Sequence, residues 1–375
     1  MNKLVFFTLL LITINVYSAK TSKTQTLIHQ FELLPGNLSV TLMKNGTDLV
    51  VSKNSDKPMA VASAFKLYIL KALEAEVKAG TLSYDQKVCI ENEKKSVSWG
   101  YLKQCPEGTQ FSVRQLCDLM IGKSDNTATD HLLHLVGREN IEKYAPARMR
   151  PLLSTVEMFK IKYGIPKDLQ AKYLSGNQEV KRQVLAEIAP ISRKKIRFPN
   201  KPTLIDKVEW HCTTAELARL MYDLRNASAV YVNHGKVASK AWNKIGFKSG
   251  YEAGVVNNTF LLQKDQNGDI YTLSVTMNSE KKNVDLIRFN QLMKKFVSQF
   301  DQIVRENPVQ KKVVKPLAAA QSKPITRQGT AVAKAPAQES ALAKVPAASS
   351  RDNATFTIYQ NSIPKKIQLR PSYNQ

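Results

Sequence analysis

The sequence predicts an α/β protein of two lobes, one an antiparallel sheet of N- and C-terminal strands with flanking helices, the other all-helical. Three observations predict it. Strand-like apolar runs broken by Asn-Gly turns lie toward the two ends, around residues 38–53 and 242–275. Between them, apolar residues recur at helical spacing. A last helical stretch, 284–300, can cover the sheet. A cleft between two such lobes is a natural place for a ligand.

The elements follow in order. Residues 1–18 read as a secretory signal peptide. Lys3 gives a positive start, the apolar run 4–14 is interrupted by Thr8 and Thr13, and Val16 and Ser18 stand at cleavage spacing. An uncleaved anchor is the lesser alternative. The body of the protein is expected over 19–304. Residues 38–53 read as a hairpin: Leu38, Val40 and Leu42 alternate with polar residues, Asn45-Gly46 turns, and Leu49-Val50-Val51 returns. Helices are predicted over 63–79 ending at Gly80, over 112–121, over 126–136 stopped by Gly137, and over 213–224 capped by Thr213 or Thr214. Residues 242–249 read as strand, and 260–275 as a hairpin turning at Asn267-Gly268. The segment 305–375 is a basic tail rich in Ala, Pro, Lys and Gln. From Pro308 on it carries eleven Lys and Arg against two acids, Glu339 and Asp352. It has too little patterned apolar surface to order itself, so a mostly disordered tail is expected. It reads either as an electrostatic tether to an anionic envelope or as a solvated tail.

The 375 residues carry a formal net charge of +24, which suits an anionic neighbourhood. Export and the lack of an aromatic-interleaved basic ribbon argue against nucleic acid. No later segment approaches the ~20 apolar residues of a membrane span. A secreted or periplasmic location is therefore expected, where disulfides are permitted. Cys89 and Cys105 flank one polar excursion, 90–104, and are the candidate pair, although four cysteines leave connectivity open. Cys117 falls at helical spacing among Leu116, Leu119 and Met120, as a buried thiol would. No cysteine has metal-ligand spacing. His131 and His134 share a helix face without a Cys or His cluster around them, which fits a polar helix surface better than a metal site. No metal or cofactor is expected.

The chemistry concentrates in three short motifs. S-x-x-K occurs at Ser63–Lys66, Ser192–Lys195, Ser279–Lys282 and Ser362–Lys365. Only Ser63 opens a helix anchored by Phe65, Leu67, Ile69 and Leu70. Residues three apart share a helix face, so Lys66 lies beside the Ser63 hydroxyl. The helix start presents unpaired N–H groups that can donate to an oxyanion. A hydroxyl needs a base to become nucleophilic, and Lys serves only if burial or a second cation lowers its pKa. Lys248-Ser249-Gly250 supplies such a cation at the end of a predicted strand, and Ser124-Asp125-Asn126 precedes a helix. No G-x-S-x-G elbow is present.

The ordered set S-x-x-K, S-D-N, K-[ST]-G resembles the class A β-lactamases and the wider penicillin-recognising serine hydrolases. The resemblance covers roughly residues 24–300 and includes Val113-Arg114-Gln115-Leu116-Cys117, Gly80-Thr81-Leu82-Ser83 and Thr213-Thr214. It implies the two-lobe β-lactamase-like fold and a monomer acting on a β-lactam or peptidoglycan-like small substrate. It also implies residue roles. Ser63 attacks the carbonyl, and Lys66 is the acylation base, directly or through water. Ser124 relays a proton to the leaving nitrogen. Asn126 bonds Lys66 and a substrate amide, while Asp125 holds its own loop. Lys248 and Ser249 take a substrate carboxylate, with Gly250 between them and Tyr251, whose N–H completes the oxyanion hole. Trp99 falls at the cleft mouth, as an aromatic contact or a packing residue. Asn258 stands where many members place an arginine.

One departure is large. The family's E-x-x-L-N motif, whose Glu activates the deacylating water, is absent, and the stretch 192–208 expected for that loop has Asp206 as its only acid. Glu157, Glu179, Glu187 and Glu209 are displaced candidates without the right context. The expectation is an exported serine hydrolase acylated at Ser63, with slow or non-standard release. The alternatives are a D-Ala-D-Ala carboxypeptidase or esterase, and a non-catalytic envelope-binding protein on a degenerate hydrolase fold.

Overall fold

The computed structural model describes residues 22–309. The N-terminal hairpin is β1 (Asn37–Lys44) and β2 (Asp48–Lys53), joined where Asn45 (φ 50°) and Gly46 (φ 78°) take the two left-handed positions of a tight turn. The C-terminal strands are β3 (Lys244–Glu252), β4 (Val255–Gln263) and β5 (Ile270–Asn278). They form one antiparallel sheet in the order β2-β1-β5-β4-β3. The register sets Val40 of β1 opposite Val275 of β5, so segments from both ends of the chain share one sheet, as the sequence predicts.

The helices are α1 (Lys23–Glu32), α2 (Lys66–Lys78), α3 (Val113–Gly122), α4 (Asn126–Val136), α5 (Thr155–Phe159), α6 (Lys167–Ser175), α7 (Gln178–Ile188), α8 (Thr214–Asp223) and α9 (Leu286–Ser298), with shorter helical turns besides. Their starts are written locally. Ser22 with Gln25, Ser112 with Gln115, Ser154 with Glu157 and Thr213 with Glu216 form reciprocal capping boxes at α1, α3, α5 and α8.

Two apolar clusters hold the lobes. One lies between the sheet and α1 and α9. Leu38, Val40 and Leu42 of β1 meet Phe289, Leu292 and Phe296 of α9, and Phe31 packs edge-on to Phe289 at 5.5 Å. Each such buried side chain contributes roughly 1.5–3 kcal/mol relative to exposure. The alternate β1 residues face the other way: Ser39 and Thr41 each hydrogen-bond the Thr214 hydroxyl at 2.7 Å. The second cluster fills the helical lobe around α2, α3 and α4.

The structure refines three expectations. The helix predicted from residue 63 begins as a 3-10 turn, Ala62–Phe65, and becomes α-helical at Lys66. α5, α6 and α7 were not legible as helices, because α5 is five residues long and α6 buries only Gln170 and Tyr173. The helix Phe300–Glu306 runs past the expected limit at 304 and is tied to α1 by Asn307, whose amide donates to Thr24 Oγ1 at 2.7 Å. The expected signal segment 1–18 and the expected tail beyond 309 lie outside the described residues. Among the described residues, no helix is long and apolar enough to cross a membrane.

Candidate active site

The site forms where the edge strand β3 meets the 3-10 turn carrying Ser63. Gly250 makes the approach possible: a Cβ there would stand 1.9 Å from the Val61 carbonyl oxygen and 3.0 Å from the Ala64 nitrogen. Only glycine lets the two backbones come this close. Two non-glycine residues here take left-handed backbone, Ala62 (φ 44°) beside Ser63 and Ser124 (φ 57°) at the turn before α4. Such strain collects at functional sites.

Lys66 and Lys248 converge from opposite sides on Ser124. Lys66 Nζ donates to Ser124 O at 2.7 Å, Ser124 Oγ at 3.2 Å and Asn126 Oδ1 at 2.7 Å. Lys248 Nζ donates to the same Ser124 Oγ at 2.9 Å and to Ser249 O at 2.6 Å. The Asn126 amide donates in turn to Ser98 Oγ at 2.8 Å. Asp125 holds the loop. Its carboxylate caps α4 through Ala128 N and accepts from Leu102 N, both at 2.9 Å.

Both lysines are withdrawn from solvent. Burial pulls Lys66 down to about 7, against the more distant pull of Asp125 and Asp130. Burial, with Lys66 facing it, takes Lys248 well below the usual lysine value. An amine with a pKa of about 7 is uncharged in a large fraction of molecules at neutral pH, and an uncharged amine can accept a proton.

A cleft of about 840 Å³ opens over this floor, lined by Ser63, Ser98, Trp99, Ser124, Asn126, Ser249, Gly250, Tyr251 and Asn258 among others. Trp99 is exposed at its mouth, and its indole donates to Lys123 O at 2.9 Å. Asn258 faces Ser249 across the β3–β4 register, and its amide donates to Asn290 Oδ1 at 3.1 Å on α9. The structure therefore gathers every predicted site residue around one cleft, Lys66 and Lys248 forming its buried floor.

Four expectations need correction. Among the described side chains of 192–208, none lines the cleft. The facing wall is Thr155, Met158 and Phe159 of α5 with Trp210. α5 is pinned there because the buried Asp130 carboxylate accepts from Thr155 N, Thr155 Oγ1 and Val156 N. Of the displaced acids, Glu157 pairs with Arg138 at 2.7 Å, Glu187 with Lys172 at 2.5 Å, Glu179 is exposed, and Glu209 is fully buried against Lys162. Cys89 and Cys105 are free thiols. Cys89 stands exposed on a short strand, whereas Cys105 is packed into the helical-lobe core, where burial raises its pKa. His131 is not a surface residue: it is buried, with Nε2 accepting from Glu91 N at 2.9 Å and Nδ1 bonded to Thr127 O at 2.7 Å. Among the described residues, no cluster of three or more His, Cys, Asp or Glu is placed to hold a metal ion.

Sequence reasoning missed Ser98, the α5 wall and Glu252. Only Glu252 had a signal: two residues beyond Gly250, strand alternation puts it on the face of Lys248.

Known proteins share this fold and part of this sequence. The model of the β-lactamase enzyme family matches residues 20–195. A β-lactamase structure from Sphaerobacter thermophilus superposes with a TM-score of 0.52 at 17% identity, covering 75% of this chain and 97% of that one. Another from Xanthomonas campestris gives 0.50 at 15% identity, covering 76% and 99%. In sequence, β-lactamase VEB-1 of Pseudomonas aeruginosa is 26% identical over 113 residues, 29% of this chain and 38% of that protein. β-lactamase AST-1 of Nocardia asteroides is 33% identical over 100 residues, 27% and 32%. The chain thus spans about a third of the length of these curated relatives. The fold is the two-lobe fold of the β-lactamases. The similarity to the β-lactamase enzyme family covers a little under half of the chain.

Proposed function

We propose that this chain is an exported serine hydrolase that forms an acyl-enzyme at Ser63 on β-lactams or acyl-D-Ala-type amides. The observation that carries the reading is the convergence of two buried lysines on the Ser124 hydroxyl, with the pKa of Lys66 brought to about 7. In this reading uncharged Lys66 takes the Ser63 proton as Oγ attacks the carbonyl. The backbone N–H groups of Ser63 and Tyr251 receive the developing oxyanion. The proton passes through Ser124 to the leaving nitrogen. Lys248 and Ser249 bind a substrate carboxylate, Asn126 a substrate amide, and Trp99 the substrate's flank. The apolar Met158 and Phe159 on the facing wall offer no base for release, which supports a slow or differently catalysed second step. They also favour the second reading, a carboxypeptidase or esterase that holds penicillin as a long-lived adduct. The signal-like residues 1–18 support export.

The test is intact mass with time after adding penicillin, wild type beside Ser63→Ala. The wild type gains one penicillin mass and Ser63→Ala none. A folded wild type with neither adduct nor turnover overturns the reading.

A further inference from the structure

The cleft floor accounts for acylation, but none of the acids considered for release lines the cleft. One carboxylate among the described residues does line it: Glu252. It lies on β3 two residues, about 6.6 Å, beyond Gly250. Gly250 is pressed against Val61 and Ala64, the residues on either side of Ala62 and Ser63. Lys248, Gly250 and Glu252 alternate onto one face of the strand, so the Ser63 turn sits over Gly250 with Lys248 to one side and Glu252 to the other.

The side chain of Glu252 is held, not loose. Lys162 Nζ donates to both its oxygens at 2.9 Å, and Tyr163 Oη donates to Oε1 at 2.8 Å. Both donors come from a π-helical turn, Lys160–Gly164, that continues α5 and so belongs to the same facing wall. Such turns recur at functional sites. Glu209 shares Lys162 at 2.7 Å, but its side chain has no exposure, whereas that of Glu252 keeps 13% and lines the cleft.

We propose that Glu252 is the base that activates water for release of the acyl group from Ser63, an assignment that rests on the acylation reading above. Water attacks the ester carbonyl carbon while its proton passes to the Glu252 carboxylate. The tetrahedral intermediate collapses, the bond to Ser63 Oγ breaks, and Glu252 returns the proton to that oxygen through cleft water. One ester and one water give one acid and free enzyme. The groups facing Glu252 are Lys162 and Tyr163 from the π-helical turn and Glu209 from the segment before Trp210. Burial and the nearby Glu209 raise the Glu252 pKa well above the ordinary carboxylate range, against the pull of Lys162. The ionised, water-activating form therefore gains with rising pH, and release speeds up with it.

The experiment follows adduct formation and adduct loss separately, by intact mass with penicillin on the full chain. Glu252→Gln acylates at the wild-type rate and holds its adduct about 100-fold longer, a general-base effect of ordinary size. Glu252→Asp recovers part of the release rate. Glu209→Gln, which removes a neighbouring negative charge, moves the pH limb of release to lower pH. Release from Glu252→Gln within about threefold of wild type overturns the assignment, as do acylation and release falling together. If Glu252→Gln does not fold, an unmoved pH limb in Glu209→Gln overturns it. A wild-type adduct that never releases removes this assignment and leaves acylation at Ser63 intact. A wild type that takes no acyl group removes the acylation reading first.

Discussion

Lys66 and Lys162 are both buried, and their proton affinities move in opposite directions. Burial lowers each by itself. The difference lies in the neighbours. Lys66 touches neutral acceptors, the Ser124 carbonyl and hydroxyl and the Asn126 amide oxygen, with no carboxylate in contact. Lys162 touches two carboxylates, Glu209 at 2.7 Å and Glu252 at 2.9 Å, and its pKa rises. One side of the cleft lowers the proton affinity of its amine and the other raises it. Burial alone decides neither; the charge beside the buried group does.

The largest effect that tests this contrast is on the floor. Lys66→Met keeps the bulk and removes the amine, and acylation by penicillin is expected to fall about 10²–10⁴-fold. Rapid-quench mass measurement checks it, and a fall of less than tenfold breaks the contrast. On the wall, Lys162→Met leaves two buried carboxylates without their cation. It is expected to cost about 3–5 kcal/mol of stability, read by urea unfolding. A near-neutral result makes Lys162 dispensable to the wall.

Gly250→Ala tests the seam between the two sides. The added methyl has no room against Val61, so about 1–3 kcal/mol of stability is expected to go, with acylation falling too as the Ser63 turn is pushed off β3. The smallest effect is the pH dependence of acylation. The Lys66 pKa is lowered to about 7, so the uncharged base dominates above that value and is lost below it. The acylation rate is expected to fall about tenfold from pH 8 to pH 6, with a midpoint near 7. A profile flat over that range removes Lys66 as the base.

Much of the floor was legible because each motif is short and stands beside a strong local signal. Ser63 opens an apolar helix. Asn126 follows the capping Asp125, and Lys248 stands two residues before Gly250 on one strand. The wall was not legible. Lys162 and Glu209 are scattered through the chain and belong to no pattern, and Glu252 had only strand alternation to mark it. The expected loop at 192–208 was placed by family order, whereas Asp130 brings α5 to that wall by hydrogen bonds across 25 residues of sequence. Cys89 and Cys105 looked like a pair by spacing, yet one faces solvent and the other the core.

By itself, the sequence determined what acts within a few residues: the Asn45-Gly46 turn, the Thr213 cap, the Gly137 stop of α4, and the three motifs in order. Those features depend on backbone conformation and hydrogen bonds between near neighbours. The tertiary structure alone decided which amine has its proton affinity lowered and which is paired with carboxylates. Lys66 meets Ser124 across 58 positions, Lys248 meets it across 124, and Lys162 meets Glu252 across 90. A proton's affinity depends on desolvation and on charges a few ångströms away in space, and folding alone brings both to the site.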